Sequence, residues 1–293
     1  MNTFFSNKKA IAIFVLPTLL LFTVIVFYPL LNVMYGSFFD YKGLTPQTFI
    51  GLEHYKRLMT DSLFYTSLKN GLIFAAIITV YQIVFATILA FAVNNATMKG
   101  RSFFRVVYFI PVVLSITVVC QLWLSILNAE NGLLNQFFEI IGLDYQQDWL
   151  SDRYKAIFPI SFTNAWQYMG YHFALILAGI KSIPQTYYEA AKIDGASTLK
   201  AHLKITIPML AETYKFCLIM AVTGGLNAYT NMHIMTSGGP GTSTYTLTYM
   251  MVRSINKTYE FGYGMSSAVI LVLECLLATI FINRLLARDR IQY

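Results

Sequence analysis

Apolar residues in this chain gather in blocks of about 20, the length a helix needs to cross about 30 Å of hydrocarbon. Read this way, the pattern predicts six spans at about 10–31, 67–93, 106–127, 157–180, 216–236 and 262–283. The second is long enough to tilt or to project beyond the lipid. The fourth is interrupted by Asn164, Gln167 and His172, which lower its hydropathy. Between the fourth and fifth spans lies a polar interval, 183–210. There Pro184 suits a first helical turn, Tyr188–Ile193 predicts a short helix ended by Gly195, and Thr198–Ile205 predicts a second before Pro208. Such a helix–Gly–helix knob is built to be gripped from outside the bilayer.

The intervening segments are short. Residues 32–66 read as a polar loop of mixed charge, and Gly132–Gly142 as a short helix lying on the membrane surface. Ser237 to Gly241 (SGGPG) marks a turn, followed by a further interfacial helix within Tyr245–Tyr259. No loop is long enough for a separate soluble domain and no internal repeat is visible, so the whole chain, 1–293, reads as one transmembrane domain.

Composition agrees: 56% of residues are apolar and only 12% charged, against about 25% charged in soluble domains. The net charge of +7 is therefore no sign of nucleic-acid binding. Basic residues beside spans have the ordinary use of fixing orientation. The N-terminus, the link with Lys99, Arg101 and Arg105, the 183–210 interval with its flanks, and the C-terminal tail hold 13 of the 21 Lys and Arg. The alternate connections hold the other eight, with nine of the 14 acidic residues, which predicts both termini on the cytoplasmic side. Lys8 and Lys9 before an apolar run imitate a signal peptide, but the run continues to about Leu31 through Pro17 and Pro29, so an uncleaved first span is expected.

Enzyme signatures are missing. There is no GxxxxGK phosphate loop, no HExxH and no GxSxG, and Cys120, Cys217 and Cys275 lack metal or redox spacing. Asn256-Lys257-Thr258 is a sequon too short to carry weight. The chain is expected to be no enzyme.

Polar residues at depth are more informative, because hydrocarbon tolerates them only beside a partner or a cavity. Asn164, Gln167, Tyr168 and His172 share roughly one face of the fourth span. In the fifth, Gly224 and Gly225 precede Asn227, Tyr229, Thr230 and Asn231, an interruption of the kind transporters place at their substrate sites. Two readings stand at this point: one aqueous cavity shared by both groups, or amides as interhelical glue with Gly225 as a close-packing point. Glu274 is the single acidic residue deep in a span; it is either a proton or cation relay or a carboxylate capped by neighbours. One such group is too few for an ion-coupled carrier, so the energy for transport has to come from elsewhere.

Glu189-Ala190-Ala191, then Gly195, then Ile205 to Pro208 supply the missing link. The chain resembles the integral membrane subunit of binding-protein-dependent ABC importers, in the group serving sugars, oligosaccharides and glycerol phosphate. The resemblance extends over Pro29, GLEHYKRL from Gly51, Asn70, FFRVVYFIP ending at Pro111, Trp123, Gly132–Asn135 and Trp149-Leu150. It continues through Trp166, LAGIKSIP ending at Pro184, SGGPGTST from Ser237 and Phe261-Gly262. Within that group the first, maltose- or lactose-type ("F-type") permease is the nearer pattern.

The resemblance implies an all-α polytopic fold of the type I importer kind, with six spans and a cytoplasmic coupling loop at 183–210. It implies a multi-pass protein of the prokaryotic inner membrane, partnered by a second permease, two copies of an ATP-binding subunit and an extracytoplasmic solute-binding protein. ATP and Mg would be bound by the partner ATPase and no cofactor by this chain. Glu189, Ala190, Ala191, Asp194, Gly195 and Pro208 would couple to the ATPase. Asn164, Gln167, Tyr168 and Asn227 would line the path of a sugar or oligosaccharide. The sequence departs from the maltose pattern at Gly224 and Gly225, where an aromatic residue and Asn are usual, and at Gln167 and Tyr168, where smaller or apolar residues are. The alternatives are a permease of the same superfamily for glycerol phosphate or another polar solute, and a membrane scaffold without transport.

Overall fold

A computed structural model describes residues 8–43, 46–95 and 97–286. Among the described residues, the regular structure is helical apart from one pair of two-residue strands. Helix α1 (Lys8–Phe22) passes through a wide π turn at Thr23–Phe27 into α2 (Tyr28–Gly36). Strands β1 (Phe39–Asp40) and β2 (Thr48–Phe49) precede α3 (Glu53–Thr60) and the long α4 (Ser62–Asn94). Next come α5 (Arg101–Val113), α6 (Ile116–Ile126), α7 (Leu133–Ile140) and α8 (Ile157–Ser182). Beyond α8 lie α9 (Gln185–Ile193) and α10 (Thr198–Ala201), then a second π turn at His202–Thr206 and α11 (Ile207–Met209). The last helices are α12 (Ala211–Leu226), α13 (Thr230–Thr236), α14 (Leu247–Asn256) and α15 (Phe261–Leu285).

Both π turns stand just ahead of a proline, Pro29 and Pro208. Proline has no N–H to give and its ring crowds the carbonyl four residues back. Widening the preceding turn lets the helix continue rather than stop. For this reason the return helix of the 183–210 interval runs on to Met209 instead of ending before Pro208. Pro184, for its part, is the residue ahead of α9 rather than a member of its first turn.

Among the described residues, three helices are long and apolar enough to cross a membrane: Ile11–Gly36, Ser62–Asn94 and Phe261–Leu285. The number rises to five if each of two bent pairs is one span. One pair is α5 with α6, turning by 101°, so the expected straight span at 106–127 is an elbow. The other is the Thr198–Met209 stretch with α12, at 71°. The expected span at 216–236 is likewise broken, between Leu226 and Thr230.

The chain forms two compact units. The first takes the chain up to Asp61 together with Met250–Ile270. Here the expected 32–66 loop is corrected: α2 extends to Gly36, β1 and β2 pair antiparallel (Phe39 with Phe49), and α3 follows. Arg57 on α3 donates two hydrogen bonds to Glu260, at 2.7 and 3.1 Å. Its guanidinium also lies 4.2 Å over the Tyr263 ring, whose hydroxyl donates to Asp61. The hydrogen bond from Arg57 holds the Glu260 carboxyl below its ordinary value.

The second unit takes Ser62–Tyr249 and the chain from Leu271 onward. Its centre is α4 against α8, with α5 and α12 packed on this pair. Two apolar clusters fill it. One gathers Phe74, Ile78, Ile160 and Met232; the other gathers Ala86, Phe173, Ile176 and Cys217. Small residues allow the helices to approach. A Cβ on Gly170 would fall on the Tyr108 carbonyl of α5, and one on Gly225 would lie 2.7 Å from Ala75 Cα of α4. Gly225→Val is therefore expected to cost about 1–3 kcal/mol through overpacking. Thermal melts of the purified protein check this, and an unchanged midpoint would contradict the packing.

Candidate functional site: a polar cavity and an exposed helical loop

A cavity of about 490 Å³ lies where the breaks in the helices converge. Asn164, Tyr168 and His172 of α8 line one side, Asn227 to Asn231 another, and Gln82 of α4 a third. The break after α12 makes this possible. It frees the carbonyls of Leu226 and Ala228, and the hydroxyls of Thr248 and Thr246 donate to them at 3.1 and 2.9 Å. Irregular backbone at membrane depth survives when its polar groups are satisfied in this way. Asn227 turns its amide back to the Thr223 carbonyl at 2.8 Å and touches Cys275 Sγ, leaving the side chain exposed to the cavity.

Residues of both polar groups line the cavity, and some of them also bond between helices. Asn164 donates to Asn231 Oδ1 at 3.0 Å and accepts from Gln82 at 3.4 Å, a buried bridge between helices that also forms cavity wall. Gly225 is a packing point, while Gly224 opens onto the cavity. Gln167 is the correction. It is 1% exposed, lies outside the lining, and donates its Nε2 to the Leu114 carbonyl at 3.1 Å. That carbonyl is released where α5 turns into α6, so Gln167 secures the elbow. Gln82 and Tyr171 are lining residues that the span pattern passed over. A lone Gln in the middle of the second apolar block was the available signal. Glu274 on α15 keeps one buried carboxylate oxygen without a partner among the described residues.

The 183–210 interval folds as a hairpin of helices. α9 ends in a turn where the Ala196 N–H bonds the Ala191 carbonyl and the Gly195 N–H bonds that of Lys192, at 2.9 and 3.1 Å. This closure requires a left-handed residue, and Gly195 has φ of +73°. No atom lies within 4 Å of where its Cβ would be, so backbone conformation rather than crowding within the chain calls for glycine. Ser197 caps the return helix. Thr206 Oγ1 bonds both the Tyr188 hydroxyl and His202 Nδ1, and the His202 ring stacks on Phe91 of α4 at 4.4 Å. The hairpin is thus fixed to the helical core while its tip stays bare. Glu189, Ala190, Asp194 and Gly195 are exposed, Ala191 and Pro208 half-buried, and Ile193 is 87% exposed. Neither carboxylate has a partner among the described residues.

A helical chain with spans of membrane length and a polar cavity at its helix breaks has an architecture suited to a membrane transport subunit. The family of binding-protein-dependent transport system inner membrane components matches residues 82–292, and the chain belongs to it. It is 34% identical over 270 residues to the probable ABC transporter permease YurN of Bacillus subtilis, covering 91% of this chain and 92% of that one. Identity is also 34% to a probable ABC transporter permease of Pyrococcus horikoshii, over 92% and 93%. In fold it matches a chain in the crystal structure of a bacterial alginate ABC transporter complexed with its alginate pentasaccharide-bound periplasmic protein. There the TM-score is 0.81 at 20% identity, over 97% of this chain and 96% of the other. The protein is a multi-pass inner-membrane permease subunit of a binding-protein-dependent ABC importer, coupled to a nucleotide-binding subunit and not itself catalytic.

Proposed function

We propose that this permease carries an uncharged sugar or oligosaccharide. The observation that carries the reading is the cavity lining: amides, tyrosines, a threonine, His172 and apolar groups, with no Lys, Arg, Asp or Glu among the described residues. Amides hydrogen-bond hydroxyls, and aromatic rings pack on the apolar face of a sugar. Relatives point the same way. Permeases named for xylose and arabinose import in Haloferax volcanii and for multiple sugars in Streptococcus mutans are each 31% identical. A permease named for sn-glycerol-3-phosphate in Agrobacterium fabrum is 28% identical, but a phosphate calls for a Lys or Arg, and among the described residues this lining holds neither, with His172 as its one basic side chain.

In this reading the whole chain is one transmembrane domain of six spans with α8 as the fourth and both termini in the cytoplasm. The hairpin of α9 to α11 is the cytoplasmic coupling loop. Its exposed Glu189, Ala190, Asp194 and Gly195, with Ala191 and Pro208 behind them, meet the ATPase. Asn164, Tyr168 and Asn227 form the solute path, and Gln167 supports it from the elbow. The complex holds this chain, a second permease and two ATPase copies, and receives solute from a binding protein outside.

The test is to purify the complex gently from its native membrane, count its chains, and measure ATP-driven uptake with the binding protein that accompanies it. One copy of this chain, one of a second permease and two of an ATPase are expected, with uptake of a neutral saccharide. Uptake confined to glycerol phosphate would sink the sugar assignment, and purification without an ATPase would sink the role of the loop.

A further inference from the structure

On the face of α8 away from the polar cavity, an apolar groove of about 550 Å³ runs between α5 and α8. Phe173 and Leu177, 2% and 6% exposed, form its floor. Val106, Phe109, Ile110 and Val113 form the outer wall, spaced as one stripe of α5 and open to the surroundings. The groove carries two charged residues, Arg105 and Lys181. Neither pairs with a carboxylate among the described residues, and Arg105 Nε is buried with no acceptor.

We propose that this groove is a site for an anionic phospholipid, its phosphate held by Arg105 and Lys181 and an acyl chain laid along the stripe from Val106 to Val113. Apolar walls alone would accept any lipid tail. The two cations, one with an unmet N–H, give preference for a negative headgroup. Arg105 follows the basic link of Lys99 and Arg101, and Lys181 stands two residues ahead of the 183–210 loop. Assignment of the headgroup to the cytoplasmic leaflet rests on the orientation proposed above. A lipid held here rests on α8, which also carries Asn164 and Tyr168 and leads into the loop. Its occupancy therefore bears on the helix that joins the cavity to the coupling surface.

The whole importer complex, reconstituted in phosphatidylcholine vesicles, is given a trace of photoreactive phosphatidylglycerol or of phosphatidylcholine with the same photoreactive acyl chain. Peptides covering 105–113 and 173–181 are expected to label about fivefold or more over the neutral probe. The double variant Arg105→Gln/Lys181→Gln is expected to bring the ratio to near one while the neutral probe labels as before. If that variant does not assemble, Lys181→Gln alone, an exposed position at the end of α8, is expected to lower the ratio. Equal labelling by both lipids in the unaltered complex would overturn the proposal. Absence of labelling by either would overturn it too, since a protein segment would then fill the groove. Headgroup preference reads the same from either leaflet; a wrong orientation would show separately, in labelling of Ser182→Cys by an impermeant maleimide from outside.

Discussion

Replacing Glu189 by Ala is expected to reduce ATP-driven uptake about tenfold or more, with the protein inserted, assembled and as heat-stable as before. The separation of the two effects follows from the loop's construction. The Glu189 side chain is exposed and has no hydrogen bond or ion pair among the described residues, so its loss leaves nothing unpaired there. The closure at Gly195 and the Tyr188–Thr206–His202 connections are untouched. A charged side chain held on a rigid helix tip, beside a bare Ile193, is worth its full effect only against a partner surface. Breaking a charge pair buried at such an interface costs about 2–5 kcal/mol, which is ample for a tenfold loss at 1.4 kcal/mol per decade. Uptake and ATP hydrolysis are measured in parallel on vesicles with equal amounts of complex. Normal uptake at normal protein levels would remove Glu189 from the coupling surface.

The parts of this molecule legible in sequence were those governed by composition or by a single backbone requirement. Apolar blocks located α4, α8 and α15 closely, because every helical residue in lipid must be apolar or partnered. Gly195 announced its turn, since few other residues take a positive φ there. The elbows were hidden for the opposite reason. Around Leu114 little beyond Pro111 and Ser115 interrupts the apolar run, and the freed Leu114 carbonyl is met by Gln167, far along the chain. A periodic pattern shows that Gln167 is polar and deep, but not which backbone group it serves. The same holds after Leu226, where the break depends on Thr246 and Thr248, read in sequence as part of an interfacial helix. The glycines drew attention to the right region, but Gly225 packs inside α12 and the break falls beyond it. Long-range satisfaction of carbonyls, rather than local helix weakness, decides where the cavity opens.

A pair of amide substitutions should separate wall from path inside that cavity. Asn227→Leu is expected to raise the KM for uptake several-fold while assembly and melting stay near normal. Its side chain is exposed, and what it gives up is one hydrogen bond to a carbonyl of its own helix and a weak contact to Cys275. The Thr223 carbonyl still accepts the Asn227 backbone N–H at 3.1 Å, so no buried group is stranded. Asn164→Leu is expected to behave differently. Asn164 is 6% exposed, and its removal deprives both Asn231 Oδ1 and the Gln82 amide of partners in a buried setting. An unsatisfied buried polar group costs about 1–3 kcal/mol, so this variant should melt earlier and transport less. Combined kinetics and melts on the reconstituted complex decide the matter. If Asn227→Leu leaves the KM unchanged, the cavity is a packing defect on that side and the solute passes elsewhere. If Asn164→Leu melts normally, the Asn164–Asn231 bond is not the brace between α8 and α13, and Asn164 is free to be read as a solute ligand alone.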